Sequence, residues 1–226
     1  MNDFLNTLLS SGVPLLPGAT VMRVALYLAW AVVLGCAAMG VAGRWSRRHQ
    51  WALGALVMAW TLIPGSASPA HWLGLAFQTP SLTSVGICLV WCSNRAWQGA
   101  GFAGPPAASR FDAPKILGAA AVVLGWVLLL DTLAWLPVSV YAWGFSSAAL
   151  GAVAVLLTLL WVLSGSDGPV LMLGVLALFV LTRLPTGNVW DALLDPWLWG
   201  GLQAGWLIGA VRRRRMASRS SPATRA

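Results

Sequence analysis

Apolar residues dominate the chain in seven runs, covering about residues 21–41, 51–64, 72–92, 116–136, 147–163, 169–184 and 196–211. A helix needs about 20 apolar residues to cross a bilayer, so these runs predict an all-α, polytopic transmembrane helix bundle of about seven spans. The second run is the weakest. Its 14 residues rise only about 21 Å as a helix, short of the ~30 Å hydrocarbon core. Helical extension through residues 47–50 would lengthen it, and a re-entrant hairpin is the competing reading. Pro80 interrupts the third run. Ahead of the first, Phe4, Leu5, Leu8 and Leu9 recur at helical spacing and predict a short interfacial helix over residues 3–10. With Asp3 where a basic residue would be expected, this segment does not read as a signal peptide.

Composition agrees with this pattern. Of 226 residues, 58% are hydrophobic and 9% charged, against roughly a quarter charged in soluble domains. So few ions cannot cover a water-facing surface, which excludes a soluble fold. The polar stretch between Ser93 and Lys115 is too short for a separate domain. The expected organisation is one helical domain over residues 1–211, with a flexible cytoplasmic loop at about 94–115, followed by a disordered basic tail over 212–226. The bias toward Ala, Gly, Leu, Trp and Arg points to a GC-rich, bacterial coding sequence and an inner-membrane location.

The charge pattern orients the chain. Net charge is +8, from 14 basic and 6 acidic residues, none of them glutamate. With the N-terminus outside and the C-terminus cytoplasmic, 12 of the 14 basic residues face the cytoplasm, leaving Arg23 and Arg183 outside. Twelve of the 15 tryptophans then fall near the two interfaces, with Trp30, Trp126 and Trp206 deep.

Within this frame most motifs have a structural reading. Gly99, Gly101 and Gly104 spell G-x-G-x-x-G but lack the strand and helix a dinucleotide site requires, so they read as a linker. Asp112, Asp167 and Asp195 each stand just before a proline at a helix start and are expected to be N-caps. Asn188 is placed to cap a short outer helix, and Asp191 shares a polar face with Asp195. Asp131 lies inside the fourth run, where an unpaired charge costs several kcal/mol. Arg183, at similar depth, is its expected ion-pair partner. Gln78 and Gln203, the only amides within the runs, read as helix-to-helix hydrogen bonds or as part of a polar path. Gly201, Gly205 and Gly209 form a small-residue stripe that lets another helix approach closely.

Cofactor chemistry finds little support. Cys36, Cys88 and Cys92 read as reduced structural thiols without the spacing of a metal site. His49 and His71 fall on opposite sides and cannot clasp a haem, and Lys115 sits in a loop, away from any retinal pocket. No cofactor or metal is expected. Arg212, Arg213, Arg214 and Arg215 follow the last run directly and are expected to grip anionic lipid at about 1 kcal/mol per charge, rather than nucleic acid.

Two blocks echo each other. Thr61-Leu-Ile-Pro64-Gly65 parallels Thr182-Arg-Leu-Pro185-Thr-Gly187, and Trp72 with Gln78 parallels Trp197 with Gln203. The echo pairs spans two and three with six and seven, a three-plus-one-plus-three plan known among transporters. Three functions follow. The first is an accessory or structural membrane subunit, not an enzyme, working through helix–helix contacts with other subunits or its own copies. The second is a small-solute transporter or channel lined by Gln78, Gln203, Asp131 and Arg183. The third is an intramembrane hydrolase using Ser146 or Ser147 with His71.

Overall fold

The computed structural model describes residues 17–98 and 112–220. The expected helix over residues 3–10, the glycine motif at Gly99, Gly101 and Gly104, and residues 221–226 lie outside them. Every regular element described is helical. In chain order these are α1 (Ala19–Val41), α2 (Arg47–Thr61), α3 (Pro69–Phe77), α4 (Leu82–Gln98) and α5 (Ala113–Thr132). They continue with α6 (Val140–Trp143), α7 (Ser147–Ser164), α8 (Asp167–Thr182), α9 (Val189–Leu193) and α10 (Pro196–Ser220). Among the described residues, α1, α5 and α7 are long and apolar enough to cross a membrane, and α8 is apolar but shorter.

The remaining runs depart from single helices in ways their sequences explain. The second run does extend backwards: α2 starts at Arg47, and its 15 residues rise about 22 Å. The third run is split. Ser68 caps α3, accepting from Ala70 N at 3.1 Å, with Pro69 at the first helical position. The helix ends where Gln78 takes φ 61°, ψ −150°, a region ordinarily left to glycine. The indole of Trp30 steadies this turn by donating to Gln78 O at 2.8 Å. Pro80 then bars continuation, and α4 starts afresh two residues later. The last run is preceded by a short helix, α9, capped by Asn188 Oδ1 accepting from Trp190 N at 2.9 Å. Beyond it α10 continues through the four arginines to Ser220, so the basic segment expected to be disordered from residue 212 is helical over residues 212–220.

Packing divides the helices into two groups. In the first, α1 lies antiparallel to α2, and α3 and α4 also pack on it. Gly35 and Gly54 let these two backbones meet: a Cβ on Gly54 would lie 2.6 Å from Met39 Cγ and 3.4 Å from the Gly35 carbonyl oxygen. The second group centres on α8. Its Val175, Leu176 and Phe179 are buried with Ala149 and Leu157 of α7 and with Val189, Trp190, Ala192 and Leu193 of α9. Helix α4 touches both α1 and the α8–α9 pair, so it joins the groups. Helix α10 lies on α5, where Trp199 fills the space above Gly125. A Cβ there would fall 2.3 Å from Trp199 Cδ1. The same indole donates to Val122 O at 3.2 Å and meets Trp126 edge-on.

A branched side chain at position 125 must therefore displace a rigid ring and break its hydrogen bond. Gly125→Val is expected to destabilise the protein by about 1–3 kcal/mol, read as a lower thermal midpoint in detergent. Gly174→Ala, where a Cβ meets nothing within 4 Å, is expected to be neutral or mildly stabilising. Equal midpoints for Gly125→Val and the parent would refute the tight α5–α10 crossing.

Candidate functional site

Each of the two breaks exposes a fresh helix start whose first N–H groups need acceptors. Ser81 stands at the start of α4 and Asp195 at the start of α10, and the fold brings them together. Asp195 is 7% exposed. Its Oδ2 accepts from Ser81 N at 2.9 Å, Ser81 Oγ at 2.7 Å and Ser84 Oγ at 2.5 Å. Its Oδ1 accepts from Leu198 N at 2.8 Å. Ser81 Oγ in turn accepts from Ser84 N at 3.1 Å, and Thr83 Oγ1 donates to Ala192 O at 3.3 Å beside it. The carboxylate thus caps α10 directly and holds the start of α4 through Ser81, whose Oγ caps that helix, and the positive ends of both dipoles face it. Among the described residues no basic group forms an ion pair with it. The negative charge is held by neutral donors alone.

Of the three aspartates expected to cap helices, Asp112 and Asp195 stand at helix starts, but only Asp195 makes the cap hydrogen bond. Asp112 makes no cap bond and instead forms an ion pair with Lys115, which holds its carboxyl below the usual range. Asp167 falls within the first turn of α8, behind Ser166. Ser81 and Ser84 were not singled out from sequence, although Pro-Ser-x-x-Ser is a legible helix-start pattern.

A second polar cluster ties α6 to α9. Asp131 Oδ2 accepts from Tyr141 N at 2.7 Å and Ser139 Oγ at 3.2 Å. Tyr141 Oη donates to Asp191 Oδ2 at 2.8 Å, and Thr186 Oγ1 donates to the same oxygen. Asn188 Nδ2 donates to Tyr141 O, and Trp190 Nε1 to Val140 O, both at 2.9 Å. Burial, reinforced by the neighbouring Asp191 carboxylate, pushes the Tyr141 phenol up to about 12.

The expected Asp131–Arg183 ion pair is not formed. Helix α5 ends at Thr132, so Asp131 sits in a last turn rather than inside a span, and the returning chain supplies donors to it. Arg183 closes α8 in a left-handed conformation and lies over the Phe179 ring, 5.8 Å from its centroid. Nor are Gln78 and Gln203 brought to equivalent places. Gln78 is exposed and acts through its backbone carbonyl, whereas Gln203 lies two turns into α10 and donates to Trp199 O at 3.4 Å. The sequence echo had aligned α3 with the start of α10; in chain order α3 corresponds to α9.

The other candidates are local. Helix α10 faces α5 through Trp199, Leu202 and Trp206, while a Cβ on Gly201 or Gly205 would meet nothing within 4 Å. A Cβ on Gly209 would meet only Arg213 of its own helix. Arg212, Arg213, Arg214 and Arg215 are exposed on α10. The three thiols are free, with Cys36 Sγ 2.9 Å from Cys92 Sγ and 3.5 Å from Cys88 O. Ser146 Oγ accepts from Ala149 N and caps α7, and His71 stacks edge-on against Trp72. A cavity of about 700 Å³ lies between α1 and α3, with Arg23, Tyr27 and His71 among mainly apolar walls.

Asp195→Ala would leave Ser81 N, Leu198 N and the Ser84 hydroxyl without their acceptor and is expected to cost about 2–4 kcal/mol. Ser84→Ala alone should cost about 1 kcal/mol, and the double variant should be no worse than Asp195→Ala. Additive losses in thermal unfolding would show that the two side chains are uncoupled. Comparison with protein families, with characterised proteins and with solved structures finds no match for this chain.

Proposed function

We propose that this chain is a multi-pass protein of a bacterial inner membrane. Its seven embedded segments run from an outside N-terminus to a cytoplasmic C-terminus, and it acts as an accessory or structural subunit through helix–helix contacts. The orientation rests on the arginine bias and the tryptophan belts. The segments are α1, α2, α3 with α4, α5, α7, α8, and α10 with α9 as its lead-in.

The observation that carries the subunit reading is the open face of α10. This helix of 25 residues is held on one side by α5, and Gly201 and Gly205 stand one turn apart with open space at their Cβ positions. Glycine costs about 1 kcal/mol relative to alanine inside a helix, a cost that close approach of another helix offsets through backbone contact. Gly151 and Gly174 are open too, but singly, and a lone glycine offers no groove. The partner is accordingly a transmembrane helix, either of another subunit or of a second copy.

A second reading, a small-solute or ion pathway, draws on the two interrupted segments. The α2–α3–α4 and α8–α9–α10 units follow the same order, and transporters build binding sites where interrupted helices meet. Thr61 and Thr182 close α2 and α8 alike, each donating to the carbonyl four residues back at 2.7 Å. Gly65 and Gly187 then turn the chain at φ 90° and 80°.

Reporter fusions at the two termini are expected to read opposite compartments; the same compartment for both would overturn the orientation. Cross-linking in native membranes is expected to trap the parent in a larger complex that Gly201→Leu/Gly205→Leu loses while still inserting and folding. A parent that stays monomeric would overturn the subunit reading and leave the pathway standing.

A further inference from the structure

At the end of the bundle where α1 and α4 finish and α2 begins, two arginines converge on one cavity. The cavity is open, measures about 610 Å³ and is lined by Trp45, Arg47, Gln50, Trp91, Asn94 and Arg95. Gln50, only 3% exposed, is the hub. Its Nε2 donates to Trp45 O at 2.8 Å and Gly43 O at 3.2 Å, while its Oε1 accepts from Arg95 Nη2 at 2.5 Å. The Arg95 guanidinium also lies over the Trp91 ring, 4.9 Å from its centroid. Arg47 reaches across from α2 and donates through Nη2 to the Arg95 and Ala96 carbonyls. Both guanidinium groups are thus positioned by neutral acceptors. A guanidinium has five N–H donors, so each keeps several for a ligand.

Their charge is uncompensated. Among the described residues the one ion pair is Lys115–Asp112, and no carboxylate faces either arginine. Helix α2 opens at the same wall with no side-chain cap on its first turn, which adds positive potential. Two fixed cations beside one cavity repel each other until an anion joins them. A tetrahedral anion with several acceptor oxygens matches two guanidinium forks set at different angles better than a planar carboxylate does. The Trp45 and Trp91 rings supply the apolar part of its lining.

We propose that the Arg47–Arg95 cavity binds a phosphate group, with both guanidinium groups on its oxygens, Asn94 as a neutral donor and Gln50 as the positioning residue for Arg95. The site is separate from the arginines at residues 212–215. Its phosphate belongs either to a phospholipid headgroup or to a soluble phosphate compound, and both share this chemistry.

The test uses the full chain, purified and delipidated in mild detergent, with native mass spectrometry counting retained phosphatidylglycerol and thermal shift reading inorganic phosphate. Arg47→Gln/Arg95→Gln is expected to weaken binding about tenfold or more, whereas Arg23→Gln, at the opposite end of α1, leaves it unchanged. Retained phosphatidylglycerol that millimolar inorganic phosphate does not displace identifies a lipid. Stabilisation by inorganic phosphate in phosphatidylcholine nanodiscs identifies a soluble ligand. Should the double variant fail to fold, the wild-type chain still decides: phosphate or phosphatidylglycerol is expected to protect Arg47 and Arg95 from phenylglyoxal, mapped by peptide mass. Equal binding in a folded double variant, equal stabilisation by acetate, or full modification of both arginines at saturating ligand would each overturn the proposal.

Discussion

A carboxylate removed from water needs either a cation or enough donors to replace its hydration, and Asp195 has the second. Four hydrogen bonds from Ser81, Ser84 and Leu198 converge on it, and the starts of α4 and α10 point their dipoles at it. A cation would neutralise the charge at one spot and carry its own desolvation penalty; distributed neutral donors avoid adding a second buried ion. Ser81 and Asp195 are 114 residues apart in the chain. Helix α4 packs on α1 at one side and on α8 and α9 at the other. Anchoring its start to Asp195 therefore sets how the α1–α4 group sits against the rest.

The same economy of charge recurs elsewhere. Asp131 and Asp191 take their hydrogen bonds from backbone N–H groups and hydroxyls, and Gln50 rather than a carboxylate receives Arg95. Among the described residues no buried side-chain nitrogen or oxygen lacks a partner. With six acidic residues against fourteen basic ones, pairing charges could not have satisfied the arginines in any case. The surplus collects at helix ends, at Arg47, Arg95 and residues 212–215.

Much of the helical layout was legible in sequence because it depends on local chemistry. Apolar runs marked the helices, Pro80 marked the interruption, and Asn188 and Asp195 stood where helix starts needed acceptors. Long-range pairing was less legible, for a physical reason. Whether Asp131 needs Arg183 depends on where α5 stops, and it stops one residue later, so a turn supplies donors first. Whether Gln78 and Gln203 are equivalent depends on which side of a break each falls, and α9, hidden within a polar-looking connection, shifts that register. The Arg47–Gln50–Arg95 cluster joins residues 45 to 48 apart, at the start of α2 and the end of α4. Nothing in spacing foretells that contact; only the run of basic residues around 44–48 signals that charge must gather there.

The uses of glycine along the chain bear on the proposed subunit role. At Gly35, Gly54 and Gly125 a Cβ would strike a neighbour at under 3 Å, so each glycine is explained by a helix already in place. On α10 the glycines at 201 and 205 carry the same helix penalty without such a neighbour. The start of this helix is held by Asp195 and its Trp199 side by α5, which leaves the glycine face little freedom to turn inward. A face held outward and able to admit a backbone to close range offers a ready-made groove. In the proposed assembly that groove supplies the contact energy the isolated chain forgoes. The arginines at the far end of the helix would then help set its depth by staying with the headgroups.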